Sequence, residues 1–135
     1  MAKPYTKKER AVEEEFYREV AREFAQEFWD VELTCSIEFV NREWRSTRGY
    51  FSNNKETGEC KIVMSHKVNQ RRGTGPTLET LKHELAHWYL WSIGEPYGDD
   101  DPSFVRECLR IGASISGTKK AQKALEETLA EMEDE

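Results

Sequence analysis

The stretch that decides most of the fold is TLETLKHELAHWYLWSI, residues 77–93. Its apolar residues share the three- and four-residue spacing of a single helix face, and they are Leu78, Leu81, Leu85 and Trp88. Thr77 is a good residue to begin a helix, and Gly94 is a good residue to end one. The sequence therefore predicts a helix over residues 77–93 with one apolar side.

The same stretch contains the pattern His-Glu-x-x-His at residues 83–87. On a helix, His83 and His87 lie on one face, so their two imidazoles can chelate one zinc ion. Glu84 then lies beside the metal, where its carboxylate can take a proton from water. Shuffling this composition produces the pattern in roughly one chain in a hundred. The motif therefore favours a metal site over two incidental histidines.

A catalytic zinc takes three protein ligands and leaves one position for water, so a third donor is needed. His66 lies upstream, after a strand, where a surface imidazole is expected. Downstream, oxygen donors follow in the loop and in the next helix, namely Asp99, Asp100, Asp101 and Glu107. The residues alone leave this choice open.

The segments before this helix predict one helix and three strands. Thr6 and Glu9 form a capping-box pattern that begins a long helix ending near Trp29. Its apolar residues at every fourth position are Val12, Phe16, Val20, Phe24 and Phe28, with Ala21 and Ala25 alongside. Alternating apolar residues predict a strand over about 31–40. Residues 49–52 and 60–64 flank a loop rich in Asn and Gly, which predicts an antiparallel hairpin, and residues 70–76 are expected to form a loop.

The segments after residue 93 predict further helices. Asp101 and Pro102 are typical of a helix start, and Gly112 ends that helix. Residues 118–135 are rich in Lys and Glu and predict a marginal helix in an acidic tail. We therefore expect an α+β fold with a long first helix, a three-stranded sheet of antiparallel type, the His-Glu-x-x-His helix and C-terminal helices. At 135 residues, the chain has room for a single domain with a core over about residues 7–115.

The motif with its surroundings resembles the SprT-like (Spartan-related) zinc metalloproteases. Residues 83–90, then residues 100–104 and the Leu109-x-Ile111-Gly112 segment, carry this resemblance, which covers about residues 10–115. It implies a minimal zincin-like core without the C-terminal zinc ribbon of longer members. It also implies a bacterial or phage-encoded intracellular protein and a link to DNA-associated proteins.

The resemblance also suggests the third ligand. The family generally has a histidine four residues before the aromatic residue that begins the next helix. With Phe104 as that aromatic, the position falls on Asp100, and some phage and bacterial members carry Asp there. Asp is a known zinc ligand, so Asp100 is the predicted third donor. Asp99 and Asp101 are the alternatives if the position is off by one residue. Asp101 is expected to cap the next helix, and Asp99 to face solvent. Glu107 is the second choice.

The expected reaction is zinc-dependent peptide hydrolysis with Glu84 as general base. An acidic third ligand should make the metal a weaker Lewis acid. Tyr97 and Tyr50 are candidate partners for the oxyanion or the substrate. The alternative is a non-catalytic, zinc-stabilised adaptor module that binds a protein or DNA, although a purely structural zinc site would not need Glu84.

Composition and charge limit the partners. The net charge is −6, yet residues 41–73 carry +5, while residues 1–40 carry −4 and residues 94–135 carry −6. The basic segment predicts weak DNA contact through Arg42, Arg45, Arg48, Arg71 and Arg72. No apolar run is long enough to span a bilayer. We expect a cytoplasmic monomer that makes no membrane contact.

The three cysteines are Cys35, Cys60 and Cys108. Their odd number and wide spacing argue against both a disulfide framework and a zinc ribbon. A reducing compartment fits best, and the thiols are expected to be buried apolar filler.

Overall fold

A computed structural model describes residues 3–135, and it confirms the α+β class. In chain order, its elements are α1 (Lys7–Trp29), β1 (Ser36–Val40), β2 (Gly49–Asn53), β3 (Cys60–Ser65), α2 (His66–Arg72), α3 (Thr74–Ser92), α4 (Pro102–Ile111) and α5 (Lys119–Glu133). The chain divides into two compact units at Leu81, within α3. Along residues 3–135, no helix combines the length and the apolar character needed to cross a lipid bilayer.

The three strands form one mixed sheet in the order β1-β3-β2. The predicted hairpin is confirmed, because β2 pairs antiparallel to β3, with Phe51 opposite Ile62. The first strand differs from expectation, since β1 pairs parallel to β3 and begins at Ser36 rather than near residue 31. The link at residues 41–48 is long enough for β3 to lie between β1 and β2, which gives the parallel pair.

The capping box of α1 is confirmed, and its apolar face is confirmed in part, since the predicted residues Ala21, Phe24 and Ala25 are buried. Thr6 accepts a hydrogen bond from the Glu9 amide, and the Glu9 carboxylate accepts one from the Thr6 amide. Two residues of the predicted stripe, Val12 and Phe16, are 66% and 47% exposed. A strict four-residue spacing rotates by about 40° per step around a helix of 3.6 residues per turn, so it cannot stay on one face. The buried residues are Tyr17, Ala21, Phe24, Ala25 and Trp29.

The expected loop at residues 70–76 is mostly helical. Ser65 caps α2 by accepting a hydrogen bond from the Val68 amide, and Gly73, with φ of 89°, separates α2 from α3. α3 begins at Thr74 rather than Thr77, whose hydroxyl instead donates to the Gly73 carbonyl. Pro76 is compatible with this start because the first helical turn leaves its backbone N–H groups without helical partners.

The C-terminal helices follow the prediction closely. α4 begins at Pro102 and ends at Gly112, which adopts the left-handed conformation with φ of 74°. α5 begins after Thr118, whose hydroxyl accepts a hydrogen bond from the Ala121 amide. Buried residues of α4 include Phe104 and Cys108.

Candidate metal centre

Two imidazoles and one carboxylate converge within the second unit. His83 and His87 lie one turn apart on α3, and their Nε2 atoms are 3.2 Å apart. The Oδ1 atom of Asp99 lies 3.0 Å from each Nε2. Within residues 3–135, these three form the one group of His, Cys, Asp and Glu side chains with converging ligand atoms.

Backbone carbonyls orient both rings. The Nδ1 atom of His83 lies 2.6 Å from the Ser114 carbonyl oxygen, and the Nδ1 atom of His87 bonds to the Tyr97 carbonyl oxygen. A neutral imidazole that donates from Nδ1 presents a lone pair at Nε2. Both lone pairs therefore point toward the Asp99 carboxylate, and such carbonyl partners are typical of metal-binding histidines.

The ring of Phe104 supports this arrangement from α4. It stacks on the His87 ring at 4.0 Å between centroids with an interplanar angle of 7°, and it contacts the His83 ring edge-on at 5.0 Å. Phe104 is fully buried. An aromatic ring packed this closely restricts the rotation of both imidazoles, so the donor atoms are held in place before a ligand arrives.

The electrostatics of His83, His87 and Asp99 favour a positive charge among the three side chains. Burial disfavours the charged imidazole, but the hydrogen bond to Asp99, with smaller contributions from Cys108 and Glu84, raises the pKa of His83 to about 10. The hydrogen bonds from His83 and His87 hold the pKa of the Asp99 carboxyl far below its usual range. The site thus favours a cation, either a proton or a metal ion.

The donor set and its dimensions fit zinc. Zinc–nitrogen and zinc–oxygen bonds of about 2.0–2.2 Å in a tetrahedral site place neighbouring donor atoms about 3.3–3.6 Å apart. The observed separations of 3.0–3.2 Å lie just below that range, so a bound zinc ion would require the three donor atoms to move apart by a few tenths of an ångström. The two histidine side chains are 13% exposed and Asp99 is 47% exposed, so the carboxylate side of the site faces solvent. A three-donor site with an open side is the arrangement that catalytic zinc sites use.

The aspartate that meets the imidazoles is one residue earlier in the chain than the predicted third donor, Asp100. Asp99 meets the imidazoles, although it was expected to face solvent, and Asp100 is an exposed residue that the structure does not bring to them. Asp101 does not cap α4 with its side chain, because its Oδ2 atom accepts a hydrogen bond from the Gly98 amide at 2.7 Å. That bond closes a tight turn at residues 98–101, which aims Asp99 at the histidines.

Two other candidate donors lie elsewhere. Glu107 pairs with Arg110, one turn further along α4. His66 is buried rather than on the surface, and each of its ring nitrogens lies 2.9 Å from a carboxylate oxygen, one of Glu13 and one of Glu14. Neither residue belongs to the group of converging ligand atoms formed by His83, His87 and Asp99.

The remaining predicted residues have different environments. Glu84 is buried on α3 beside His83 and contributes to the electrostatic field there. Tyr97 contributes its backbone carbonyl to His87, while its side chain is half-buried. Tyr50 lies on β2 in the first unit, is 42% exposed and packs near the Trp44 ring.

The predicted basic residues belong to the first unit. Arg42, Arg45 and Arg48 are exposed on the link between β1 and β2. Arg71 forms an ion pair with Glu43, and the Arg72 guanidinium donates to the Thr80 hydroxyl at 2.6 Å. Burial and the neighbouring charges of Arg48 and Arg71 lower the pKa of Arg72. The Arg72 guanidinium therefore lies close enough to those of Arg48 and Arg71 to be affected by their charges.

A sequence model of the SprT-like family matches residues 13–129. The chain belongs to the SprT-like family. The match spans α1 through most of α5 and therefore includes the His83–His87 motif and Asp99. Membership implies a domain of the metalloprotease type, in agreement with the candidate metal site. No solved structure matches this chain.

Proposed function

We propose that this SprT-like chain is a zinc-dependent peptide hydrolase whose metal ligands are His83, His87 and Asp99. The observation that carries the proposal is the convergence of two Nε2 atoms and one carboxylate oxygen while both Nδ1 atoms are committed to backbone carbonyls. Three acceptor atoms at 3.0–3.2 Å are stable together only with a cation among them.

Zinc bound to these donors would polarise a peptide carbonyl and make water acidic enough to attack near neutral pH. Glu84 is the general base in this proposal. It follows His83 directly on α3, where its carboxylate can take the proton of the attacking water and return it to the leaving amine. Its burial keeps bulk water away and strengthens its electrostatic effect on the reacting groups.

The test of hydrolysis compares Glu84→Gln with Glu79→Gln, a matched change one and a half turns earlier on α3. The substrate is β-casein, an unstructured protein, and new N-termini are counted by mass spectrometry in the presence of one equivalent of zinc. We expect Glu84→Gln to keep the zinc and reduce cleavage at least about 100-fold, while Glu79→Gln cleaves like the parent. Equal cleavage by Glu84→Gln and the parent would overturn the role of Glu84. Zinc binding without cleavage by the parent would favour the adaptor module.

We propose in addition that the exposed arginines of the β1–β2 link contact DNA weakly, and that the substrates include DNA-associated proteins. Support comes from the crowding of Arg48, Arg71 and Arg72, since like charges held together attract a polyanion. The acidic character of the remaining chain limits the affinity. In this proposal, residues 1–135 act as one domain and as a cytoplasmic monomer.

The DNA proposal is tested by replacing Arg42, Arg45 and Arg48 with Gln, against a control in which Lys119, Lys120 and Lys123 become Gln. Both variants lose three positive charges from exposed positions. Anisotropy of a labelled single-stranded oligonucleotide should show binding near 20 mM salt that weakens steeply by about 200 mM. The arginine variant should lose most of this binding and the lysine variant little. Equal losses would show that net charge alone is responsible.

A further inference from the structure

Cys35 directly precedes β1, and Cys60 is the first residue of the neighbouring parallel strand β3. The β1–β3 register begins with Ser36 opposite Lys61, so each cysteine lies one residue before that first pair. Neighbouring strands lie about 4.8 Å apart, within the Cα separation of about 4.4–6.8 Å that a disulfide spans. Because opposed residues of a sheet point to the same face, the two sulfur atoms project in the same direction.

The two thiols are in contact. The Cys35 thiol donates a hydrogen bond to the Ser36 carbonyl oxygen at 3.6 Å, and it lies near enough to the Cys60 thiol that each affects the pKa of the other. Cys35 is 6% exposed, whereas Cys60 is half-buried. Cys60 also lines an open cleft of about 770 Å³ with polar neighbours that include Ser52, Asn53 and Glu59. Cys60 is therefore the more accessible of the two cysteines.

We propose that Cys35 and Cys60 form a reversible oxidation site, at which a low-molecular-weight disulfide converts the two thiols into one bond between β1 and β3. In the first step, the Cys60 thiolate attacks the reagent disulfide RSSR, forms Cys60–S–S–R and releases RS⁻. In the second step, the Cys35 sulfur attacks Cys60 Sγ, forms the Cys35–Cys60 bond and releases the second RS⁻. The two protons of the protein thiols go to the two leaving groups, and two electrons reduce RSSR to two RSH.

The order of the steps follows from the environment of each thiol. Burial raises the pKa of both thiols, but the neighbouring Cys35 thiol partly offsets this effect at Cys60. Cys60 is also the cysteine that lines the cleft. Because the thiolate is the nucleophile, Cys60 reacts first and reacts faster as the pH rises. Cys108 has no cysteine opposite it, since it lies on α4 and is fully buried.

The experiment treats the full chain with oxidised glutathione at about pH 8.5, where more of each thiol is ionised. Remaining thiols are alkylated in denaturant after an acid quench, and the chain is digested with trypsin. The sequence gives three separate cysteine peptides, residues 23–42, 56–61 and 107–110. We expect peptides 23–42 and 56–61 joined by a disulfide, peptide 107–110 alkylated, and full reversal by dithiothreitol.

Two variants complete the test. Cys108→Ser should still yield the joined peptides, whereas Cys60→Ser should leave Cys35 open to alkylation, because the exposed partner is missing. Separate alkylation of peptides 23–42 and 56–61 in the treated parent would overturn the proposal. So would glutathione that stays on Cys60, or a disulfide that includes Cys108. The result does not depend on zinc, so it is distinguishable from the outcome for the hydrolase.

Discussion

Two clusters in this chain combine histidine with carboxylates, and their geometry differs in a way that separates an ion pair from a metal site. In the first unit, His66 lies between Glu13 and Glu14, with 2.9 Å from each ring nitrogen to a carboxylate oxygen. The carboxylates lie on opposite sides of the ring, so an imidazolium can donate to both. In the second unit, His83 and His87 direct their Nε2 atoms at one shared carboxylate oxygen.

The two clusters differ in the group that contacts the second nitrogen of each imidazole ring. Backbone carbonyl oxygens lie beside the Nδ1 atoms of His83 and His87, so only the Nε2 atom of each ring faces the Asp99 carboxylate. The two nitrogens of His66 face carboxylates of two different residues, so its donor atoms do not converge with others on one point. Residue types alone therefore do not identify a metal site. The two clusters contain the same kinds of side chain and differ in whether a backbone carbonyl or a carboxylate contacts the second nitrogen of each imidazole.

The largest expected effect on stability comes from His66→Ala. The change removes one hydrogen-bond partner from each of the partly buried Glu13 and Glu14 carboxylates, which keep Asn69 and Arg18 as partners, and such a loss costs about 1–3 kcal/mol of the free energy of unfolding. Urea denaturation measures this cost. Zinc stoichiometry should stay at one per chain. A folded His66→Ala variant that has lost its zinc would reverse the assignment of the two clusters.

Asp99→Ala should weaken zinc binding about 100-fold or more, because loss of a direct ligand exceeds the effect of an outer-shell partner. Asp100→Ala, one residue away and also exposed, provides the matched control and should change the affinity less than about threefold. Competition with a chromophoric chelator measures both dissociation constants. If Asp100→Ala instead weakened zinc binding strongly and Asp99→Ala did not, Asp100 would be the third ligand, as expected from the sequence.

Aromatic packing offers a smaller test, since each cluster has one stacked phenylalanine. Phe104 stacks on His87, and Phe39 stacks on His66 at 5.2 Å. Phe104→Leu should weaken zinc binding about three- to tenfold because the imidazoles become less well oriented. Phe39→Leu should leave zinc affinity unchanged. A similar loss of affinity in both variants would show that general destabilisation, rather than orientation of the ligands, is responsible.

The sequence predicted the elements that carry strong local signals. The capping box at Thr6, the Pro102 start of α4 and the glycine at its end all appear where expected. The buried face of α1 was predicted correctly at Ala21, Phe24 and Ala25 but not at Val12 and Phe16, because every-fourth spacing drifts around the helix. The parallel pairing of β1 was missed because strand order depends on long-range packing, which alternation of apolar residues does not encode.

At the candidate site, the sequence supplied His83, Glu84 and His87 directly, because the helical period fixes which residues share a face. It missed Asp99 in favour of Asp100, since the loop register depends on a side-chain bond from Asp101 to the Gly98 amide. A signal was present in the run Gly98-Asp99-Asp100-Asp101, since an Asp three residues after Gly can close a turn in this way. The carbonyl partners at Tyr97 and Ser114 carry no side-chain signature, so only the structure identifies them.

The most direct test of the central claim is an anomalous difference map recorded at the zinc absorption edge from crystals of the zinc-loaded chain. We expect one peak, with the Nε2 atoms of His83 and His87 and a carboxylate oxygen of Asp99 each about 2.0–2.2 Å away. Zinc bound between His66 and its carboxylates, or a peak near His83 and His87 that Asp99 does not contact, would contradict the account.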